Sequence, residues 1–449
     1  MRVHIIAIGG SIMHQLAINL KLQGYQISGS DDEIFDPALS NLKKHELVPD
    51  KMGWHEENIN LELDFVILGM HAKADNPELL KAQKLHIKIY SFPEFVYENS
   101  INKIRIAIAG SHGKTSTTAF LMQLFKMANI EFDYLVGAKI SGFEYSVSLS
   151  SHAKYLLCEA DEYPESNLTR QPKFFIYRPH IAVITGIAWD HINIFPTFEN
   201  YCWQFQQFIS KMEENGVVFY NSADNNLVQL INESQNPQKC KFIPYQSFIG
   251  HNNRGVTSID YNGCLNALNI FGDHNLSNLK VATMVSEFIG INQSTIQNTL
   301  SNLKLPARRL ERLNHPTKIV FNDFAHAPSK VKASIKAVYE QFKPQRILAV
   351  LEWHTFSSLN LNFMSEYKGC FALVEKCIIY YSEHALKLKN LPSINLKEVQ
   401  QLFGNEEVEI INNLEHLKNR IDEVSLSFEV ILLMSSGNFD GTNLLKYIA

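Results

Sequence analysis

Short apolar runs, each closed by glycine or a polar turn and followed by a stretch with helical spacing, recur along the whole chain. Val3–Ile8 is the first; it ends in Gly9-Gly10-Ser11, and Leu16–Leu22 follows with helical periodicity. Gln26–Asp31 and Asp64–Gly69 are the next strand-like runs. Ile104–Ala109, Lys154–Glu159 and Ile181–Thr185 continue the pattern through the middle, which a helix over Leu276–Phe288 closes. Lys318–Phe321, Arg346–Leu351, Cys377–Tyr380 and Glu429–Met434 repeat it near the end, with a helix over Pro328–Phe342. Strands that are apolar at nearly every position are buried on both faces, and their alternation with helices predicts an α/β fold built on parallel sheets. A polar stretch, 221–263, is expected to hold loops or small antiparallel strands.

A chain of 449 residues is too long for one hydrophobic core. The pattern divides it into three expected domains, 1–102, 103–304 and 305–449. Composition is that of an ordinary globular protein, 45% apolar and 19% charged. A net charge of −5 supplies no basic field, which argues against nucleic acid as a partner. The six cysteines form no C-x-x-C pair, so zinc and dithiol chemistry are disfavoured and a reducing compartment fits. No apolar run approaches the ~20 residues that span a bilayer. The first run is too short for a secretory h-region. A cytoplasmic protein with no membrane partner, a monomer or weak dimer, is expected.

The chemistry concentrates after the run Ile104–Ala109. There Gly110-Ser111-His112-Gly113-Lys114-Thr115-Ser116 makes a strand–glycine turn–helix opening. Loop N–H groups and the positive end of a helix dipole converge on phosphates in such a turn. Lys114 is placed to reach the β- and γ-phosphates, and the Thr115 hydroxyl to ligate Mg²⁺. The loop is shorter than a full Walker A pattern, which would put glycine where Ile108 stands.

Five other clusters carry candidate chemistry. Glu159-Ala160-Asp161-Glu162 ends one apolar strand, and Asp190-His191 follows the next. Carboxylates beyond the carboxyl ends of parallel strands can hold Mg²⁺ beside phosphates, although a solvated acidic turn reads the same way. Gly272-Asp273-His274-Asn275-Leu276-Ser277-Asn278 opens a helix with Asn275 and Asn278 on one face, suited to an adenine edge or to capping. Pro306-Ala307-Arg308-Arg309-Leu310-Glu311 lies at the expected domain junction, where an arginine could close on a γ-phosphate. Asp323, in Asn322-Asp323-Phe324-Ala325-His326-Ala327-Pro328, is a candidate for a ribose hydroxyl or simply a helix-start aspartate. At the start of the chain, Asp31 falls about 20 residues after Gly9-Gly10, the spacing at which dinucleotide folds bring an acidic residue to a ribose.

Taken in order, G-S-H-G-K-T, E-A-D-E, D-H, G-D-H-N-L-S-N, A-R-R-L-E and N-D-F-A-H-A-P resemble the motifs of the Mur ligase family over nearly the whole chain. The resemblance implies an N-terminal Rossmann-like nucleotide-sugar domain, a central P-loop ATPase domain and a C-terminal Rossmann-like domain for the incoming amine. It implies ATP and Mg²⁺, UDP-N-acetylmuramate as the carboxylate substrate, and an acyl phosphate that a short peptide's amine then attacks. Catalytic roles pass to Lys114, Glu159, His191 and Arg309. ATP contacts pass to Gly110, Ser111, His112, Gly113, Lys114, Thr115, Ser116, His274, Asn275, Asn278, Arg309 and Asp323. Thr115, Glu159 and His191 would hold metal. Gly10, Ser11, Ile12, Met13, His14 and Asp31 would meet the nucleotide sugar.

Within the family, Gly10–Ala17, Ser91-Phe92-Pro93-Glu94-Phe95, Tyr177-Arg178-Pro179 and Met434–Gly441 resemble the branch that attaches a ready-made murein tripeptide. His14 stands where that branch has glycine, Ala327 where the family has a second histidine, and Trp353-His354-Thr355-Phe356-Ser357 where the branch has an arginine-containing stretch. An L-alanine acceptor is the alternative within the family. A slow ATP-hydrolysing, nucleotide-gated binding protein is the alternative outside it. Folylpolyglutamate synthetase shares the glycine loop but lacks a domain equivalent to 1–102.

Overall fold

Among the described residues the strands form four sheets. The structure, a computed structural model, describes residues 1–164, 171–189, 194–234, 240–403 and 407–449, the side chains of 362 and 396–398 excepted. The first sheet holds β1 (Arg2–Ile6), β2 (Gln26–Ser30), β3 (Phe65–Leu68) and β4 (Lys88–Ser91) in the order β2-β1-β3-β4, all parallel. β1 stops at Ile6, short of the expected Ile8, because Ala7 takes a left-handed φ of 65° and turns the chain into the glycine loop.

The second sheet contains β5 (Ile104–Ala109), β6 (Phe132–Leu135), β7 (Val147–Ser148), β8 (Tyr155–Glu159), β9 (Ile181–Ile184), β10 (Gly216–Asn221) and β11 (Cys240–Tyr245). Their order is β11-β10-β9-β5-β8-β6-β7, with only the β6–β7 pair antiparallel among those described. β5 is central, and Ile106, Ala107, Ile108 and Ala109 are completely buried, as covering both faces requires. The polar stretch 221–263 is therefore only partly antiparallel: it also carries the helix Asn225–Glu233 and the parallel strand β11.

The edge at β7 is covered by the helix Met13–Leu22. Gln15, Asn19 and Gln23, spaced four apart on and just beyond that helix, share one face. Gln15 Oε1 accepts from Ser146 N at 3.3 Å, Asn19 Oδ1 from Leu149 N at 3.1 Å, and Gln23 Nε2 donates to Leu149 O. Side-chain amides thus take up backbone groups that an open edge would leave to another chain.

A third, antiparallel sheet comprises β12 (Gly250–Asn253), β13 (Val256–Tyr261) and β14 (Cys264–Leu268). The fourth comprises β15 (Glu311–Leu313), β16 (Ile319–Asp323), β17 (Ile347–Trp353), β18 (Lys376–Tyr381), β19 (Val408–Ile411) and β20 (Val430–Met434), in the order β15-β16-β20-β17-β18-β19. It is parallel except for β15, and the helix Pro328–Phe342 has the expected bounds.

Contacts divide the chain into two units: Met1–Ile187 with Cys202–Gln246 and Val281–Thr295, and Ala188–Tyr201 with Ser247–Lys280 and Ile296–Ala449. The segment 247–280 falls in the second of these units. Asn252 Nδ2 donates to the carbonyls of Glu340 and Gln341, each at 3.0 Å, so the β12–β13 hairpin caps the end of the helix Pro328–Phe342. Among the described residues no helix is long and apolar enough to cross a membrane.

Candidate active site

The glycine loop is shaped by backbone that tolerates little else. Gly110 has φ +123°, and a Cβ there would lie 2.2 Å from Thr185 Oγ1 and 2.9 Å from Thr185 N. The close approach exists because β9 runs beside β5: Ser111 N donates to Gly186 O at 3.0 Å, and the Thr185 hydroxyl reaches His112 O. Gly113, at φ +81°, is the N-cap of the helix Lys114–Met127 and brings no side chain to its first turn. No side chain caps the amide donors of that turn, an arrangement that suits an anion.

Lys114 and Thr115, the first residues of that helix, meet the acidic turn after β8. Lys114 Nζ donates to Gly110 O at 2.7 Å and to Glu162 Oε2 at 2.9 Å, with Asp161 Oδ1 at 3.6 Å. Burial pulls the ammonium's pKa down, but Glu162 and Asp161 more than offset this and hold it above its usual range. Thr115 Oγ1 donates to Glu159 Oε1 at 2.6 Å, while Gly137 N donates to Glu159 Oε2 at 2.7 Å. Burial, reinforced by the neighbouring Asp161, pushes the Glu159 carboxyl up.

Thr115 and Glu159 put a hydroxyl and a carboxylate oxygen side by side, the hard donors that Mg²⁺ takes. Mg²⁺ completes its shell with water and phosphate rather than a protein cage. Among the described residues there is no group of three or more His, Cys, Asp or Glu that could hold a metal ion. The expected ligand His191, with Asp190, lies outside the described residues.

In the second unit, His274, Arg309 and Asp323 lie close enough to act on one another electrostatically. Burial lowers the pKa of His274, partly countered by Asp323. Arg309 lies over the Phe324 ring at 4.5 Å. Asp323 Oδ2 accepts from Leu310 N at 2.6 Å, and its Oδ1 from Ala325 N at 2.8 Å and Ser334 Oγ at 3.0 Å, so here it braces the Arg308–Leu310 segment. Asn275 and Asn278 are both buried on the helix Asp273–Phe288, and Asn275 Nδ2 donates back to Phe271 O at 2.9 Å.

The N-terminal loop is knit from within. Asp31 Oδ2 accepts from Gly9 N at 2.7 Å, and burial pushes its carboxyl up to about 6. His14 turns inward at 3% exposure: Nδ1 lies 2.9 Å from Gly10 O, and Nε2 lies 2.8 Å from Gln15 Nε2 and 3.3 Å from Asn41 Nδ2. Since Nε2 faces two amide donors, the neutral ring with the proton on Nδ1 satisfies every contact. Gly10, Ser11 and Ile12 remain at least partly exposed, whereas Met13 is buried.

Trp353 is a core residue, fully buried against Tyr367 and Phe403. His354, the next residue, is half-buried, with Nδ1 3.9 Å from Glu352 Oε1. Sequence reasoning missed Glu162 as the partner of Lys114, although it stands in the quoted E-A-D-E. It also missed Gly137 and Thr185, which carry no local signal because only the sheet order brings them to the loop.

Two family profiles match the chain in order: the Mur ligase family catalytic domain over residues 2–103 and the Mur ligase middle domain over 108–286. Among curated relatives, the UDP-N-acetylmuramate–L-alanine ligase of Sulfurihydrogenibium sp. (strain YO3AOP1) is 29% identical over 100% of this chain and 98% of its own length. That of Aquifex aeolicus (strain VF5) is 26% identical over 97% and 95%. The murein peptide ligase of Psychrobacter arcticus 273-4 shares the fold at TM-score 0.69 and 21% identity, covering 100% of this chain and 98% of that one. The UDP-N-acetylmuramate–alanine ligase of Thermotoga maritima does so at TM-score 0.71 and 18% identity, with the same coverage. The chain belongs to the Mur ligase family, whose members are ATP-dependent amide-bond-forming ligases.

Proposed function

We propose that this protein joins the lactyl carboxylate of UDP-N-acetylmuramate to the amine of the tripeptide L-Ala-γ-D-Glu-meso-diaminopimelate in the cytoplasm, using ATP and Mg²⁺. The observation that carries the ATP chemistry is the union of the glycine loop, Lys114 and the Thr115–Glu159 pair at the carboxyl ends of β5 and β8. A carboxylate does not react with an amine until it is activated. Its oxygen attacks the γ-phosphorus of ATP, ADP leaves, and an acyl phosphate forms. The amine then attacks the acyl carbon, and the tetrahedral intermediate expels phosphate and loses a proton. The loop amides and Lys114 orient the phosphates and offset their charge, the main task in phosphoryl transfer. Mg²⁺ held by Thr115 and Glu159 would neutralise phosphate charge further.

The tripeptide acceptor is supported by the resemblance of Met434–Gly441 to the tripeptide branch. This segment folds onto the end of β17, where the Ser435 hydroxyl and Phe439 N both donate to the buried Glu352 carboxylate. An L-alanine acceptor is the second reading, favoured by the names of the curated relatives. Phosphate release from ATP with UDP-N-acetylmuramate, comparing the tripeptide with L-alanine, separates them. Release with the tripeptide alone, with a UDP-linked peptide seen by mass, is the expected result. Release with L-alanine alone refutes the tripeptide assignment, and no stimulation by either refutes ligation to both.

A further inference from the structure

Glu162 is fully buried yet belongs to no role assigned so far. Its carboxylate reaches across from the turn after β8 to the ammonium of Lys114, whose side chain is 12% exposed. A lysine ammonium has three N–H donors. One goes to Gly110 O at 2.7 Å and one to Glu162 at 2.9 Å, with Asp161 Oδ1 at 3.6 Å. The ammonium is thus held at the glycine loop by the loop's own carbonyl and by a carboxylate. No side chain caps the first turn of the helix Lys114–Met127, which follows the same loop and whose amides suit an anion.

We propose that Glu162 is a positioning residue that competes with the nucleotide's phosphates for Lys114, so that ATP binds by drawing the ammonium from Glu162. The inference rests on the ATP reading of the loop and deepens it. Glu159, Asp161 and Glu162 set three carboxylate side chains around one ammonium. A polyphosphate arriving without a cation meets that acidic turn as well as the competition for Lys114. Competition within a partly desolvated site is strong because water screens it poorly. A divalent cation relieves both effects, so the influence of Glu162 is largest when Mg²⁺ is withheld.

The test is calorimetric titration of the full chain with ADP, with and without Mg²⁺, for wild type, Glu162→Gln, Lys114→Ala and the double variant, each checked for a melting transition. Glu162→Gln keeps the shape and removes the charge. We expect it to bind Mg²⁺-free ADP about five-fold tighter than wild type or better, a size set by one competing ion pair. The gain should shrink with Mg²⁺ present and be mostly lost in the Lys114→Ala background. A merely structural Glu162 would give unchanged or weaker binding, which overturns the proposal. An equal gain in the Lys114→Ala background means plain repulsion rather than competition for Lys114, and also overturns it. Should Glu162→Gln not fold, Glu162→Asp retracts the same charge by one methylene; a smaller gain supports the proposal and weaker binding overturns it. Folded wild-type protein that binds neither ADP nor ATP, under either condition, would refute the ATP reading itself, whatever the variants do.

Discussion

Replacing Arg105 by alanine should unfold the first unit at a markedly lower temperature while leaving ATP handling alone. Arg105 is the second residue of β5 and only 2% exposed. Its guanidinium donates through Nε to Arg178 O at 3.1 Å, through Nη1 to Ser100 O at 2.8 Å and Ile101 O at 3.3 Å, and through Nη2 to Glu213 Oε1 at 2.6 Å. One side chain therefore ties together the segment before β5, the turn before β9 and the loop before β10. Truncation leaves three carbonyls and a carboxylate without this partner. Removing one member of a buried ion pair costs about 3–5 kcal/mol. Glu213 is 36% exposed and can rehydrate, which keeps its share small, while the carbonyls around the buried Ser100 cannot do so as readily. A total near 4 kcal/mol is thus expected, and at about 2–4 °C per kcal/mol for a unit of this size the midpoint falls by roughly 8–16 °C. Arg105→Lys keeps the charge but loses the fork, so it should recover less than half. The assay is thermal melting followed by fluorescence, with KM for ATP measured well below the transition. KM should not move, because β5 carries the loop about 17 Å away from Arg105. A midpoint shift under 3 °C, or full rescue by lysine, would refute the reasoning.

Two further outcomes follow from the loops. Gly110→Ala forces a Cβ within 2.2 Å of Thr185 Oγ1 at a left-handed φ, so it should abolish ADP binding in calorimetry and lower the melting temperature; normal affinity would remove this turn from the nucleotide site. Asp31, pushed up to about 6 by burial, holds a proton in the folded state at pH values where the unfolded carboxyl, near 3.9, has lost it. Folded-state stability should therefore fall as pH rises from about 4 to about 6 and level off above that. The stability of wild type minus Asp31→Asn, from denaturant melts, should drop across that window by about 1–3 kcal/mol, and a pH-independent difference would contradict it.

Much of the fold and part of the site were legible in the residues themselves. Runs such as Ile104–Ala109 and Arg346–Leu351 read correctly as buried parallel strands, because a strand covered on both faces has no polar side to conceal its period. The strand–glycine turn–helix opening at Gly110–Thr115 was legible because it is local: its backbone angles and its helix start are written in consecutive residues. The Pro328–Phe342 helix was equally local, with proline at its first turn and its apolar periodicity intact.

Tertiary structure decided what depends on partners far along the chain. Nothing near Glu162 in sequence shows that it takes Lys114 rather than solvent; the pairing of β5 with β8 does that. His14 stands in a loop expected to meet a nucleotide sugar, yet its ring is spent on Gly10, Gln15 and Asn41. Trp353 marks a departure from the motif, and the structure makes it core, whereas the adjacent His354 is only half-buried. The segment 247–280 forms its own antiparallel sheet, and Asn252 ties that sheet to the end of a helix more than eighty residues later. Composition and periodicity determine which residues must be buried and which turns can hold an anion. Only the order of strands in the sheets determines which buried charge faces which, since that depends on neighbours in space rather than in sequence.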